Sequence, residues 1–224
     1  MSSPHCSTVC RARHRPLKSE RGPRPLRSRQ DVWWPLQYCN DREVAGCLLG
    51  SLLALRCFTL FFVAGRRGAV CMHEHPRDPM SEPYPSFFNT NVVRWITRVL
   101  NCVHVSIDQC MYGALYQKPT TILCNAVSLS SLRANCTHSK HSVTLVGRGP
   151  DGCFRSTPAA LYPERLSRAL GEGAVAELEA RSWHLVQRDD LPASGPWESG
   201  LPPAISAAWR HAGAVSGGDR RLQQ

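Results

Sequence analysis

Acidic residues are scarce in this chain: Asp and Glu number 17 against 27 Lys and Arg, for a formal net charge of +10 at pH 7. The imbalance favours polyanionic partners and says nothing about fold. There is no collagen period, no heptad series and no succession of long apolar runs, which excludes collagenous, coiled-coil and polytopic membrane architectures. None of the 11 cysteines forms a C-x-x-C pair and their number is odd, which argues against a disulfide scaffold. The opening MSSPHCSTVCRARHR has no apolar run ahead of its charges and does not read as a secretory signal. The expectation is an intracellular chain with reduced thiols.

What is present fits one α/β domain with a core, or a smaller domain with tails: 224 residues, 42% hydrophobic, 17 Pro and 16 Gly. Three stretches differ in composition. Residues 1–40 are basic and proline-rich, with Arg11, Arg13, Arg15, Lys18, Arg21, Arg24, Arg27 and Arg29 against a single Glu20 up to Arg29. The prolines forbid a regular helix there, which predicts an extended, mobile loop suited to phosphate contacts. Residues 41–170 carry the periodic signals, and residues 171–224 read as a low-complexity, disordered tail.

Within the middle stretch, Asn40 or Asp41 with Glu43 opens a long apolar helix that Gly65 closes. Its residues 45–64 reach the minimum length of a membrane span, but Arg56 near the centre favours a buried helix of a sheet-based domain. AVCMHEHP reads as a strand, NTNVVRWITRVL as an amphipathic helix and VHVSIDQ as a strand. KPTTILCN and SVTLVG follow as further strands, and PAALYPERLSRAL as a short helix. Helix, strand, helix, strand with short joints is the order of a doubly wound sheet. The expected fold is α/β: an incomplete Rossmann-like, mostly parallel sheet with flanking helices and a disordered C-terminal tail.

Three clusters carry reactive side chains: SPHCST at 3–8, HEHP at 73–76 and DQCMYGALYQKPTTI at 108–122. In their order they resemble the second half of the catalytic domain of C5-cytosine DNA methyltransferases, in the divergent form of phage-type and protist retroelement-linked proteins. That family has a Pro-Cys nucleophile loop, a helix, and a strand ending in a Glu-Asn-Val or Glu-Asn-Pro motif. A helix and a strand leading to a Tyr-Gly segment rich in Gln, Arg or Lys then follow. The resemblance covers roughly residues 3–170 and implies Cys6 as nucleophile and Glu74 as the acid engaging the pyrimidine edge. It further implies Arg11, Arg13 and Arg15 on phosphates beside a flipped base, Gln117 and Lys118 as the segment that positions the catalytic loop, and S-adenosylmethionine as cofactor. DNA is then the partner, and the nucleus is among the compartments implied. The chain departs from the family at His5, which replaces the proline, and at His75, which replaces the asparagine.

The family's cofactor site precedes its nucleophile, and only five residues precede Cys6. The expectation is therefore a fragment of a DNA (cytosine-5-)-methyltransferase-like domain without its own cofactor site. Such a fragment binds DNA without chemistry, pairs with a complementary polypeptide that supplies the missing half, or is an inactive, degenerate product without function. Two alternatives stay open, a single-pass membrane protein spanning at 45–64 and a non-catalytic basic nucleic-acid-binding protein. Cys136, His138 and His141, with Cys124 or Cys153 as a fourth donor, have the ligand types of a zinc site. Their tight C-x-H spacing equally suits a polar loop, and no metal is assigned to them from sequence.

Overall fold

The computed structural model describes residues 8–9, 24–145 and 155–181. Its first long element is α1 (Asp41–Arg66), and the start signals in the sequence operate as a reciprocal capping box. The Asn40 side chain accepts from the Glu43 backbone N–H at 3.0 Å and the Glu43 carboxylate accepts from the Asn40 N–H at 3.0 Å. After Gly68 come β1 (Met72–Pro76), α2 (Asn91–Val99), β2 (Val103–Asp108) and β3 (Pro119–Cys124). The Thr90 hydroxyl caps α2 by accepting from the Val93 N–H. Short three-ten helices at Phe87–Asn89, Gln109–Tyr112, Val127–Leu132 and Pro158–Ala160 join these elements, and α3 (Glu164–Ala180) ends the described chain.

The sheet has three strands in the order β1-β3-β2, and β3 is antiparallel to both neighbours. This corrects the mostly parallel Rossmann-like sheet expected from the sequence. The cause is the length of the joint. Residues 109–118 leave β2 and must re-enter the sheet as β3, whereas a parallel crossover needs roughly a dozen residues or more, usually including a helix. The link can only make a hairpin, closed by Gly113 at φ 97°, a left-handed conformation that an L side chain resists. Helix α2 does connect two strands running in the same direction, β1 and β2, and β3 fills the place between them. Of the expected strand SVTLVG, residues 142–145 form no strand. Helix α3 begins at Glu164, after the three-ten turn, and runs through position 170 to Ala180.

Strand alternation gives the sheet two unlike faces. One carries His73, His75, His104 and Leu123, and packs against α1, α2 and Phe87–Phe88 in a core that includes Phe58, Phe61, Phe62, Val92, Val93, Trp95 and Ile96. The other carries Val105, Ile107, Ile122 and Cys124 beneath Leu129, Leu166 and Leu170. Helix α3 lies so near the 127–132 turn that a β-carbon on Gly173 would come within 2.4 Å of Leu129 Cδ2.

Helix α1 is long and apolar enough to cross a membrane by length and composition. One stripe of it, Cys47, Ser51, Ala54, Leu55, Phe58, Phe61 and Phe62, is buried, while Leu48, Leu49, Arg56, Leu60 and Val63 are exposed.

Three arginines of the basic segment are fixed, in contrast to the mobile loop expected there. Arg24 pairs with Glu43, and Arg29 holds Asp78 through two bonds of 2.6 and 3.0 Å. Arg27, with 0% of its surface exposed, donates to Thr8 Oγ1 at 3.0 Å, to Ser51 Oγ at 2.9 Å and to the Val32 and Cys47 carbonyls, with its guanidinium over the Phe87 ring. Burial pushes its pKa down. Sequence composition counted these cations as available to phosphates, but an arginine surrounded by carbonyls and hydroxyls serves as a cross-link between the N-terminal segment and α1.

Candidate functional site

Because β1 and β2 run together and β3 runs against them, the carboxyl ends of β1 and β2 meet the start of β3 at one end of the sheet. Side chains from three separate stretches of sequence converge there. Glu74, nearly fully buried on the α3 side, has its carboxylate 3.9 Å from the Lys118 ammonium. Lys118 also donates to the Ala159 carbonyl at 2.9 Å and lies over the Tyr162 ring, which fixes its position while leaving it a quarter exposed. Gln109, with none of its surface exposed, donates from Nε2 to Thr120 Oγ1 at 3.2 Å, and its Oε1 has no hydrogen-bond partner.

Across the strand end, Asp108 accepts at Oδ2 from Arg77 at 3.3 Å and from the Cys136 backbone N–H at 2.8 Å. Its Oδ1, and the Nε and the second terminal nitrogen of Arg77, are buried without partners. Unmet donors and acceptors lie side by side here, and buried polar atoms left so are costly unless a ligand or solvent meets them. On the α3 side the site has the Glu74 carboxylate and the Gln109 amide oxygen as acceptors and the Lys118 ammonium as donor, while strand alternation puts Arg77 and Asp108 toward the other face. It suits a planar group that offers both kinds of hydrogen bond along one edge.

The histidines flanking Glu74 point the other way. His73 lies 4.8 Å from Phe58, and His75 5.1 Å from Phe88, ring centre to ring centre. His75 Nδ1 donates to the Pro76 carbonyl at 3.0 Å. Burial lowers His73 to about 3 and His75 to about 4, so both rings are neutral at neutral pH. They are core side chains backing the strand that presents Glu74.

Of the residues singled out in sequence, Glu74 and Lys118 are brought together, and Gln117 is exposed next to Lys118. Cys6, Arg11, Arg13 and Arg15 lie outside the described residues. Thr8 and Val9, just beyond Cys6, do have places: Thr8 on Arg27, and Val9 in the core that holds Phe87 and Phe88. Those two rings touch His75. Gln109 and Asp108 were not singled out as site residues, although DQCMYG was, because a Gln and an Asp at a strand end read as turn polarity until a partner strand shows what they face.

A second cluster lies beside the first. Residue Ala134 makes a parallel bridge to Ile107, with Asp108 N donating to Ala134 O at 2.8 Å and Ala134 N to Ser106 O at 3.1 Å. Two residues on, Cys136 arrives next to the three-ten turn that follows β2, where Cys110 is buried. Cys110, Cys136, His138 and His141 gather there. Burial, with the Cys136 thiol alongside, pushes Cys110 up to about 11. Cys124 instead lies in β3 with its thiol on the Val103 and Ala126 carbonyls, and Cys153 falls outside the described residues.

For S-adenosylmethionine the described residues offer no fit. The chain from β1 to α2 holds no glycine, and no described glycine lies between a strand and the α-helix after it, where a nucleotide-type cofactor meets backbone N–H groups. Comparison of the chain with protein-family models, with curated proteins and with solved structures finds no match.

Proposed function

We propose that this chain binds DNA and holds the Watson–Crick edge of an unpaired cytosine at the end of the sheet, against Glu74 and Lys118. The observation that carries the reading is the buried Glu74 carboxylate paired with the partly exposed Lys118 ammonium, set beside the partnerless amide oxygen of Gln109. A carboxylate accepts from the exocyclic amine of cytosine, and an ammonium donates to its ring nitrogen N3. Only a base out of its duplex presents that edge to a site this enclosed.

Further support comes from the order of elements: α1, a strand ending in Glu74-His75-Pro76, α2, then a strand leading to Tyr112-Gly113. That is the order the methyltransferase resemblance implies for a base-binding half. The net charge of +10 supplies the sequence-independent attraction to phosphates.

The test is fluorescence anisotropy with single-stranded oligonucleotides that differ only at one central position, cytosine or an abasic site. The wild-type chain prefers cytosine, and Glu74→Gln loses roughly tenfold of that preference, while the salt dependence common to both oligonucleotides persists. A melting curve on the same variant separates lost recognition from lost folding. Equal binding of both oligonucleotides by the wild type would overturn the reading, as would tighter binding of the matching RNA.

A further inference from the structure

The loop that follows the parallel bridge has little to hold it. Residues 135–145 form no helix or strand, their side chains are mostly exposed, and none belongs to either core. A loop of this length without buried apolar side chains needs another source of order. Backbone and side-chain bonds fix it at three places, Cys136 N to Asp108, Thr137 Oγ1 to the Met111 sulfur, and Val143 N with Ser142 Oγ to the Leu115 carbonyl. Cys136, His138 and His141 lie on this stretch, from the first anchor up to the last.

We infer that Cys110, Cys136, His138 and His141 form a structural zinc site that ties the 135–145 loop to the turn after β2. The four ligand atoms all lie within 4.8 Å of one another. Cys136 Sγ is 3.5 Å from His138 Nδ1 and 3.4 Å from His141 Nε2. A tetrahedral zinc with Zn–S near 2.3 Å and Zn–N near 2.0–2.1 Å sets sulfur–nitrogen edges of about 3.5 Å. Two of the edges of the coordination tetrahedron are thus already in place.

The ligand set selects the metal. Two thiolates and two imidazoles suit zinc, while calcium and magnesium require oxygen donors, which this cluster lacks. Four protein ligands close the coordination sphere, so the ion serves structure, with no open position for a reacting water.

The site also explains why Asp108 is spent on a backbone N–H. By accepting from Cys136 N, the carboxylate aims that thiol toward Cys110, the outer-shell support such sites use. The pattern is C-x25-C-x-H-x2-H, its first ligand contributed by a different turn. The site stands independently of the base-binding reading: a zinc-loaded chain that ignores cytosine, or a cytosine-binding chain without zinc, separates the two.

The test uses the full chain purified under reducing conditions and metal analysis by inductively coupled plasma mass spectrometry. The expected result is about one zinc per chain. Exchange with cobalt(II) is expected to give the visible bands of a tetrahedral site together with thiolate-to-cobalt charge transfer. Cys110→Ser and His141→Asn each lose the metal, while Cys39→Ser, whose thiol lies elsewhere, keeps it. Chelation leaves the sheet's far-ultraviolet circular dichroism in place and raises hydrogen exchange over 135–145. Two outcomes would overturn the assignment: a wild-type chain with free, titratable thiols that binds neither zinc nor cobalt, or zinc retained in Cys110→Ser. The wild-type stoichiometry keeps the test decisive even if a variant fails to fold.

Discussion

The aromatic face of the sheet and the 135–145 loop are stabilised by opposite means. On the aromatic face, α1, α2 and β1 bury phenylalanines, a tryptophan and two neutral histidines, and a buried arginine stitches the N-terminal segment to the helix. In the loop almost nothing is buried, and order comes from a few bonds and a cluster of metal-ligand side chains. The contrast shows that one sheet can support a stable scaffold and a conditional appendage, the first set by burial and the second by whatever its ligands hold.

The largest expected effect breaks the aromatic side. Arg27→Ala strips four acceptors of their donor and opens a space against Phe87. A loss of about 3–5 kcal/mol is expected, from four buried acceptors left without their donor and the space opened beside Phe87. Chemical denaturation measures it, and a loss under about 1 kcal/mol, the size of a surface change, would show that Arg27 is not a cross-link.

Acid provides the next test. His73 and His75 titrate near 3 and 4 when folded and near 6.5 when unfolded, so below pH 6.5 the unfolded chain binds more protons. Their contribution is intact above pH 6.5 and declines as pH falls toward 4, by about 1.4 kcal/mol per pH unit for each histidine. His104, which burial also lowers, adds in the same direction, and the Asp78 carboxylate partly opposes the shift of His75. Denaturation midpoints at pH 7, 6 and 5 are expected to fall in sequence. A His73→Phe, His75→Phe variant has a flatter profile. An unchanged slope in that variant would locate the acid sensitivity elsewhere.

The smallest effect sharpens the other side of the comparison. Ser142→Ala removes an exposed hydroxyl bond to Leu115 in a loop outside both cores. Global stability is expected to change by less than about 0.5 kcal/mol, while hydrogen exchange within 135–145 rises. A global loss above about 1 kcal/mol would mean that the loop folds as one unit with the scaffold.

Several elements were legible because their signals are local. The capping box at Asn40 and Glu43, the Thr90 cap and the alternation of VHVSID each depend on residues within a turn or two of one another. Glu74 and Lys118 were legible as site residues only through the resemblance, and the structure places them 3.9 Å apart. Arg24, Arg27 and Arg29 read as solvent-facing cations because composition cannot show that Glu43, Ser51 and Asp78 await them. Cys110 was passed over as a ligand for the same reason: it lies far from Cys136 in sequence, and the Ile107–Ala134 bridge and the Cys136–Asp108 bond bring the two stretches together only in the fold.

By itself the sequence determined the starts of α1 and α2, the apolar stripe of α2 and the alternation of β2. Those properties follow from backbone hydrogen bonding and side-chain period within a few residues. Tertiary structure decided the direction of β3, the burial of Arg27 and the meeting of four ligand side chains beside Asp108. Each of these depends on the span of a connection or on which distant surface is nearest, and neither is written in any local run of residues.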